Sequence, residues 1–295
     1  MTGNDTGMLM AAAIKAALKA GRIIMDVYSG KEFTVRQKAD DTPVTVADLM
    51  AHRSITRSLA GTGLPVLSEE GSNIPFAERS KWQLFWLVDP LDGTKGFVTR
   101  TGDFTVNIAL IDRQDPVAGV VYDPIDDTLY AGISGKGAWR VDEASGLSGT
   151  AVEGGMDALI SKGKRLPFTR HKTKGIVGSR SYMDDLTKCF IEGFVKKYPG
   201  TRVIIRGSSL KLCMIAEGKA DLYPRFSNIS EWDTAAGHAI VVASGGGIVE
   251  APCADRPLTY NKEKCVNYWF IAYRDMQLLN AVKGMIPFFS SCGLA

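Results

Sequence analysis

Hydrophobic and polar residues alternate with a helical period at the start of this chain and with a strand-like period afterwards. Apolar positions recur every three to four residues over 8–28 and 44–60, which predicts two amphipathic helices. Thr45 and Asp48 have the spacing of a capping box at the start of the second helix. Shorter apolar runs separated by Gly, Pro and Asp predict five strands. These strands are expected at residues 65–68, 85–88, 104–111, 117–122 and 128–140.

The second half of the chain alternates predicted strands with predicted helices. Strands are expected at residues 175–178, 202–206, 221–226, 247–250 and 268–273, and helices at 183–197, 209–218 and 231–244. This alternation favours an α/β layer, whereas the first half favours an α+β unit in which two helices cover a largely antiparallel sheet. Residues 142–164 are rich in Gly, Ser and charge. We therefore predict two domains, residues 1–145 and 146–295.

Composition narrows the class of protein but not its function. Of the 295 residues, 45% are hydrophobic and 23% are charged, which is ordinary for a globular protein. A net charge of +3 is too small to argue for nucleic acid or a membrane surface. No segment is long and apolar enough for a transmembrane helix, and we predict no signal peptide. The five cysteines lack CxxC spacing, which favours a reduced, cytoplasmic interior.

Acidic residues stand at the ends of apolar runs or the starts of helices in four places. These places are Asp48, Glu69 with Glu70, Asp89 with Asp92, and Asp233. Each acid taken singly is explained by a helix cap, a solvated loop or a turn. The four places together make a shared acidic site worth considering.

The residues after Asp89 argue against a plain surface turn. Gly93 lets a ligand approach the backbone closely. Thr94 adds a hydroxyl that can orient water, and Lys95 adds a charge suited to phosphate. A turn needs neither of these side chains.

Asp89 and Asp92 can face one point, with the Leu91 carbonyl between them. Oxygen ligands of this kind suit Mg²⁺. A calcium-binding EF-hand loop fits poorly, because it would need Glu where Arg100 stands, the twelfth residue counted from Asp89. The stretch therefore predicts a magnesium site.

Three motifs in combination resemble the signature of the inositol monophosphatase superfamily. They are SEE at residues 68–70, DPLDGT at 89–94 and WDTAA at 232–236. Members of that superfamily are Mg²⁺-dependent, lithium-inhibited phosphatases. The resemblance extends to about residue 274 and implies a layered αβαβα sandwich of the sugar-phosphatase type. It also implies a metal-binding first domain and a substrate-binding second domain, with the active site between them.

Longer segments resemble one branch of the superfamily, the bacterial 3′(2′),5′-bisphosphate nucleotidases of sulfur assimilation. They are VLSEE, WLVDPLDGTK, FTVNIALI, GSSLK, AEGKADLYPRF and WDTAAGHA. Those enzymes convert adenosine 3′,5′-bisphosphate into AMP by removing the 3′-phosphate. Two features depart from the branch: Gly96, where Glu would be expected, and an additional segment at residues 154–164.

Residue roles follow from the resemblance by position. Glu69, Asp89 and the Leu91 carbonyl match the ligands of a first Mg²⁺ ion. Asp89, Asp92 and Asp233 match the ligands of a second ion. A third, weaker ion held through water stays open.

The resemblance also implies a catalytic pair and a set of substrate contacts. Asp48 and Thr94 match the pair that orients and deprotonates the attacking water. Residues 207–209 precede a predicted helix whose N–H groups can hold an anion, although a simple helix cap would use the same residues. The implied substrate contacts are Gly93, Thr94, Lys95, Ser208, Ser209, Lys211, Arg225 and Asp233.

The resulting prediction is a Mg²⁺-dependent phosphomonoester hydrolase that acts on adenosine 3′,5′-bisphosphate. One alternative is an inositol or fructose phosphatase of the same superfamily. Another is a non-catalytic nucleotide sensor, which would have no need of Asp48 and Thr94. We expect a cytoplasmic location, leave peripheral association with the inner membrane open, and expect no nucleic-acid partner. The sequence does not determine the oligomeric state.

Overall fold

Two β-sheets alternate with three layers of helices in a computed structural model of the protein. The structure describes residues 3–30, 35–37, 43–147, 161–169, 171–251, 256–283 and 285. The predicted layered αβαβα architecture is confirmed. Within the described residues, no helix combines the length and hydropathy needed to cross a bilayer.

The first layer consists of two helices, α1 (Gly3–Ser29) and α2 (Val46–Leu59), which pack on each other and on one face of the larger sheet. A two-stranded hairpin of β1 (Val35–Gln37) and β2 (Pro43–Thr45) precedes α2. The predicted capping box is confirmed. The Thr45 hydroxyl accepts a hydrogen bond from the Ala47 N–H, and the Thr45 N–H donates to the Asp48 carboxylate at 2.8 Å.

The second layer is a seven-stranded sheet with its strands in sequential order, and it is antiparallel except for the first pair. Its strands are β3 (Val66–Ser68), β4 (Leu84–Asp92), β5 (Thr105–Asp112), β6 (Asp115–Asp123), β7 (Thr128–Ile133), β8 (Gly137–Asp142) and β9 (Lys164–Arg165). The prediction of one strand over residues 128–140 is wrong. A turn at residues 134–136 folds this segment into the β7–β8 hairpin, and Gly135 adopts a left-handed φ of 74° there.

The fourth layer is a mixed five-stranded sheet. In chain order its strands are β10 (Gly175–Ser179), β11 (Arg202–Arg206), β12 (Leu222–Arg225), β14 (Gly247–Glu250) and β16 (Phe270–Tyr273), and they lie in the order β11-β10-β12-β16-β14. The strand predicted at residues 268–273 begins later, at Phe270. Residues before it form β15 (Val266–Asn267), which pairs with β13 (Ile229–Ser230) instead.

The remaining helices fill the central and outer layers. Two short ones, α3 (Phe76–Arg79) and α4 (Thr94–Val98), flank β4 and were not predicted. Later in the chain come α5 (Asp185–Lys197), α6 (Leu210–Glu217), α7 (Glu231–Ala243) and α8 (Met276–Lys283). Helices α6 and α7 lie between the sheets, whereas α5 and α8 cover the outer face of the five-stranded sheet.

Helix α7 lies unusually close to the seven-stranded sheet because two sheet residues are glycines. A Cβ on Gly119 would lie 2.3 Å from the Ala236 carbonyl oxygen, and a Cβ on Gly132 would lie 2.9 Å from the Ile240 Cα. Such distances are too short for side chains at these positions. This contact brings the first turn of α7, which carries Asp233, close to the end of β4.

The proposed division at residues 145 and 146 stays a prediction. Residues 148–160, which include most of the additional segment, lie outside the described residues. Strand β9 comes from the second half of the chain but completes the first sheet. Residues 286–295 of the tail also lie outside the described part, while the helix α8 precedes them.

Candidate active site

A cleft of about 500 Å³ opens where the end of β4 meets the first turns of α4, α6 and α7. The regular pairing of β4 with β5 is interrupted between Asp89 and Asp92. The Leu91 N–H donates to the Asp89 carboxylate at 3.0 Å across this irregularity. The side chains of both aspartates are thereby presented at the cleft rather than along a regular strand.

Three carboxylates from distant motifs meet at one end of this cleft. One oxygen each from Glu69, Asp89 and Asp233 lies within 4.8 Å of the others. Burial raises the pKa of the Asp89 carboxyl well above its ordinary value, and the nearby Glu69 carboxylate raises it further. We call Glu69, Asp89, Asp92 and Asp233 the acidic end of the cleft. Closely spaced carboxylate oxygens, of which only those of Asp89 are fully buried, are a donor set suited to Mg²⁺.

Asp92 lies beside the three carboxylates and is held in place by neutral groups. Its Oδ2 accepts hydrogen bonds from the Ser209 N–H at 2.6 Å and from the Asn107 side-chain amide at 3.2 Å. Burial raises the pKa of Asp233 well above its ordinary value, and Asp92 is the next largest cause. The structure therefore places all four predicted carboxylate ligands in one electrostatic group.

The predicted catalytic pair is in contact. The Thr94 hydroxyl is 3.1 Å from the Asp48 Oδ1 and 3.3 Å from the Leu91 carbonyl oxygen, either of which can accept its proton. The Thr45 hydroxyl and N–H donate to the other Asp48 oxygen. Burial raises the pKa of Asp48, although these hydrogen bonds from Thr45 oppose the shift. Asp48 thus caps α2 with one oxygen and binds Thr94 with the other.

Two buried cations, Lys211 and Arg225, lie at the other end of the cleft, which we call the basic end. The Lys211 ammonium donates to the Ser208 carbonyl at 2.5 Å and lies 5.4 Å from the centroid of the Tyr223 ring. Arg225 donates to the Asn228 carbonyl at 3.2 Å. Both cations act to lower the pKa of Asp233, against the larger effects of burial and the other carboxylates. The two ends therefore lie within electrostatic reach of each other.

The start of α6 does not act as a simple helix cap. Ser209 caps no N–H with its side chain, and its hydroxyl donates to the Asp233 carbonyl at 2.6 Å. Its N–H is already directed at the Asp92 carboxylate. Ser208 lines the cleft with a left-handed φ of 47°. The predicted anion-binding turn thus helps to fix the acidic end, and Gly207, Ser208 and Ser209 all line the cleft.

Gly93 and Lys95 lie on the wall of the cleft at the start of α4. Gly93 has a φ of 94°, and a Cβ there would lie 2.4 Å from the Asp103 carbonyl oxygen. Lys95 is exposed and lines the cleft. Gly96 has a structural reason too, because its Cβ would lie 2.8 Å from the same Asp103 oxygen. The local packing on Asp103 accounts for glycine at this position.

Two residues that support the site, Asp103 and Asn107, were not predicted. The buried Asp103 carboxylate accepts hydrogen bonds from Arg180 at 2.5 Å and from the Gly207 N–H at 3.0 Å. Asn107 donates to Asp92 and also to the Ser209 hydroxyl at 2.8 Å. A signal for Asn107 was present, since it is a lone amide within the apolar run FTVNIALI. Nothing local distinguished Asp103 from a loop residue.

Comparisons with known proteins agree with this geometry. The model of the inositol monophosphatase family matches residues 6–278. The 3′(2′),5′-bisphosphate nucleotidase CysQ of Shigella flexneri is 42% identical over 260 residues, which cover 86% of this chain and 95% of the relative. The protein of the same name from Escherichia coli K12 is 41% identical over 258 residues, with the same coverage.

Comparison with solved structures indicates the same family. The crystal structure of CysQ from Bacteroides thetaiotaomicron, described as a bacterial member of the inositol monophosphatase family, superimposes with a TM-score of 0.82 at 43% identity. It covers 90% of this chain and 97% of the other. The suhB protein of Bartonella henselae, at 24% identity, shares the fold with a TM-score of 0.71, covering 94% of this chain and 98% of its own. The chain belongs to the inositol monophosphatase family.

Proposed function

We propose that this protein is a Mg²⁺-dependent phosphatase that removes the 3′-phosphate of adenosine 3′,5′-bisphosphate, giving AMP and phosphate. The observation that carries the proposal is a single cleft with a four-carboxylate acidic end and two buried cations at the other end. A substrate with two phosphates can place one at each end. The names of the relatives at 41–43% identity support the choice of a nucleotide bisphosphate.

The acidic end would hold the metal. Glu69, Asp89 and Asp233 are close enough to share an ion, and Asp92 and the Leu91 carbonyl lie next to them. We propose two Mg²⁺ ions and leave a third open. When bound, Mg²⁺ neutralises the phosphate oxygens and stabilises the leaving oxygen. Without metal ions, the two cations of the basic end offset only part of the mutual repulsion of these carboxylates.

Asp48 and Thr94 would activate the attacking water. When the Thr94 hydroxyl donates to Asp48, its oxygen is free to accept a hydrogen bond from water. The water proton can then pass through the hydroxyl to the carboxylate. The raised pKa of Asp48 makes this carboxylate a stronger base than an exposed aspartate. A protein that only binds nucleotides would not need this arrangement.

The second phosphate would lie on Lys211 and Arg225. The guanidinium of Arg225 can bind a phosphate with two parallel hydrogen bonds, and Lys211 supplies a compact charge beside it. We place Ser208, Lys95 and Gly93 along the path between the phosphates, because all three line the cleft. In this proposal the first half of the chain supplies most metal ligands, and the second half supplies most substrate contacts.

The test is a side-by-side measurement of kcat/KM with Mg²⁺ on three substrates: adenosine 3′,5′-bisphosphate, inositol 1-phosphate and fructose 1,6-bisphosphate. We expect the nucleotide to exceed the other two by roughly a hundredfold, about 3 kcal/mol of differential binding. A higher kcat/KM for inositol 1-phosphate or fructose 1,6-bisphosphate would contradict the proposed substrate and favour the alternative phosphatase. Calorimetric binding of the nucleotide without phosphate release would point to the sensor instead.

A further inference from the structure

The wall of the cleft between β12 and α7 carries buried polar atoms that form no hydrogen bond with the described part of the protein. Two such atoms are Ser227 Oγ and Trp232 Nε1, and both residues line the cleft, whereas the neighbouring Tyr223 hydroxyl interacts with Arg225. Burial of unpaired polar atoms is unfavourable, so such a group in a cleft indicates a ligand that completes them.

Tyr182 stands beside this wall as an exposed aromatic ring. It follows β10 on the loop that borders the cleft, and 57% of it is accessible to solvent. Its N–H donates to the Ser179 hydroxyl at 3.2 Å, which fixes the turn that presents it. The Arg225 guanidinium lies 5.3 Å from the centroid of the ring. A cation thus supports the ring while more than half of the residue stays open.

The order of groups along the cleft matches the parts of a nucleotide. Asp233 of the acidic end interacts electrostatically with Arg225, and Arg225 in turn contacts the Tyr182 ring. A ligand that places a phosphate on Arg225 therefore brings its neighbouring part to Tyr182. Inositol has no flat aromatic face, whereas every nucleobase has one and stacks on aromatic side chains.

We propose that Tyr182 is the platform on which the nucleobase of the substrate stacks, with Ser227 Oγ and Trp232 Nε1 of the wall available to the ribose and the edges of the base. This inference rests on the proposed function and adds to it the residue that selects nucleotides over other phosphate esters. Tyr182 acts by its ring, so its hydroxyl is dispensable.

The test is calorimetric titration with two probes, AMP and ribose 5-phosphate, in the presence of Mg²⁺. The two probes share the phosphate and the sugar and differ by the base. Tyr182→Ala is expected to weaken AMP binding roughly tenfold and to leave ribose 5-phosphate binding unchanged. Tyr182→Phe is expected to retain the wild-type affinity for both. Tyr268→Ala is the matched control, since Tyr268 is 56% exposed and is not among the residues that line the cleft.

Three outcomes would refute the proposal that the nucleobase stacks on Tyr182. In the first, Tyr182→Ala weakens both probes equally, which would mean that Tyr182 only positions Arg225. In the second, Tyr182→Ala weakens neither. In the third, the wild-type protein binds AMP no more tightly than ribose 5-phosphate. Phosphate release from adenosine 3′,5′-bisphosphate by the wild-type protein is measured separately, and its absence would refute the proposed function.

Discussion

The charged groups at the two ends of the cleft have different surroundings. At the acidic end, Asp89 and the half-buried Asp233 lie beside other carboxylates, and their pKa values are raised by burial and by neighbouring carboxylates. At the basic end, Lys211 is buried but rests on a backbone carbonyl and an aromatic ring. The acidic end thus lacks compensating charge within its own group, whereas Lys211 rests on neutral neighbours and Arg225 also interacts with Asp233 and Asp92.

This difference indicates what each end needs from a ligand. The acidic end requires added cations before it can accept a phosphate, because its carboxylates would repel an anion. The basic end can accept a phosphate directly, since the hydrogen bonds of Lys211 and Arg225 to described residues go to backbone carbonyls and not to carboxylates. Metal binding should therefore depend mainly on the acidic end and binding of the second phosphate mainly on the basic end, although the two ends interact electrostatically. This division can be tested.

The largest expected effect comes from removing one charge at the acidic end. Asp89→Asn is expected to lower kcat at least roughly a thousandfold, because several kcal/mol of charge stabilisation in the transition state depend on the metal. Without Mg²⁺ the same variant is expected to unfold at a higher temperature than wild type. The raised pKa of Asp89 means that its ionised form destabilises the fold above its ordinary pKa.

Phosphate release and thermal unfolding measure these two effects. The matched control is Asp115→Asn, which removes an exposed carboxylate from the hairpin between β5 and β6 and should change neither. Turnover by Asp89→Asn at the wild-type rate would show that the acidic end does not carry the chemistry.

Addition of Mg²⁺ should stabilise the wild-type protein by the next largest amount. At a concentration a hundred times the dissociation constant, binding contributes about 2.7 kcal/mol. For a chain of 295 residues that corresponds to a rise in Tm of about 4 °C. Asp89→Asn should show little of this rise, whereas Arg225→Met should show all of it. An equal loss in both variants would mean that the two ends do not act separately.

Acidic pH should lower the free energy of unfolding through His238, a residue of α7 that belongs to neither end of the cleft. Burial lowers the pKa of His238 to about 3, and its Nδ1 contacts the Tyr260 hydroxyl at 2.9 Å. Because the unfolded chain binds the proton more tightly, this contribution to stability is complete above pH 6.5 and is lost as the pH falls from there towards 3.

At pH 5 the loss due to His238 is about 2 kcal/mol. The free energy of unfolding in urea, measured at pH 7 and pH 5, should therefore fall more in wild type than in His238→Asn, by this amount. Carboxylates common to both proteins cancel in the comparison. The same pH dependence in both would mean that His238 accepts a proton in the folded state.

The smallest effect concerns the close contact between α4 and the Asp103 carbonyl oxygen in the wall of the cleft. Gly96→Ala places a Cβ near the Asp103 carbonyl oxygen, at 2.8 Å before relaxation, and is expected to cost about 1 kcal/mol of stability. Gly7→Ala in α1 is the matched control, because a Cβ there meets no atom within 4 Å. That variant should be stabilised by a few tenths to about 1 kcal/mol. Equal shifts in Tm for the two variants would remove the packing argument for Gly96.

Local signals in the sequence account for the parts of the fold that were predicted well. The capping box of α2 involves Thr45 and Asp48, three residues apart, and it forms as predicted. The β7–β8 hairpin was missed although the sequence SGKG at residues 134–137 forms a turn-like cluster between its two apolar strands. The order of strands in the second sheet depends on pairing between distant segments, which a single sequence does not encode locally.

The residues of the site likewise divide into those that local motifs predicted and those that depend on contacts between distant segments. The motifs that identified Glu69, Asp89 and Asp233 are short and specific, and the structure brings the three carboxylates together. The supporting contacts of Asp103 and Asn107 join residues more than a hundred positions apart. Their roles follow only from the packing of the α6 start against the first sheet, so no local pattern predicted them.

The central claim is that one phosphate is cleaved at the acidic end while a second is held at the basic end. The most direct test compares kcat/KM for adenosine 3′,5′-bisphosphate and 3′-AMP, in wild type and in Arg225→Met. We predict a preference of about a hundredfold for the bisphosphate in wild type, since a charged contact to phosphate supplies up to about 3 kcal/mol, and a loss of most of it in the variant. Equal turnover of both substrates by wild type would contradict the claim.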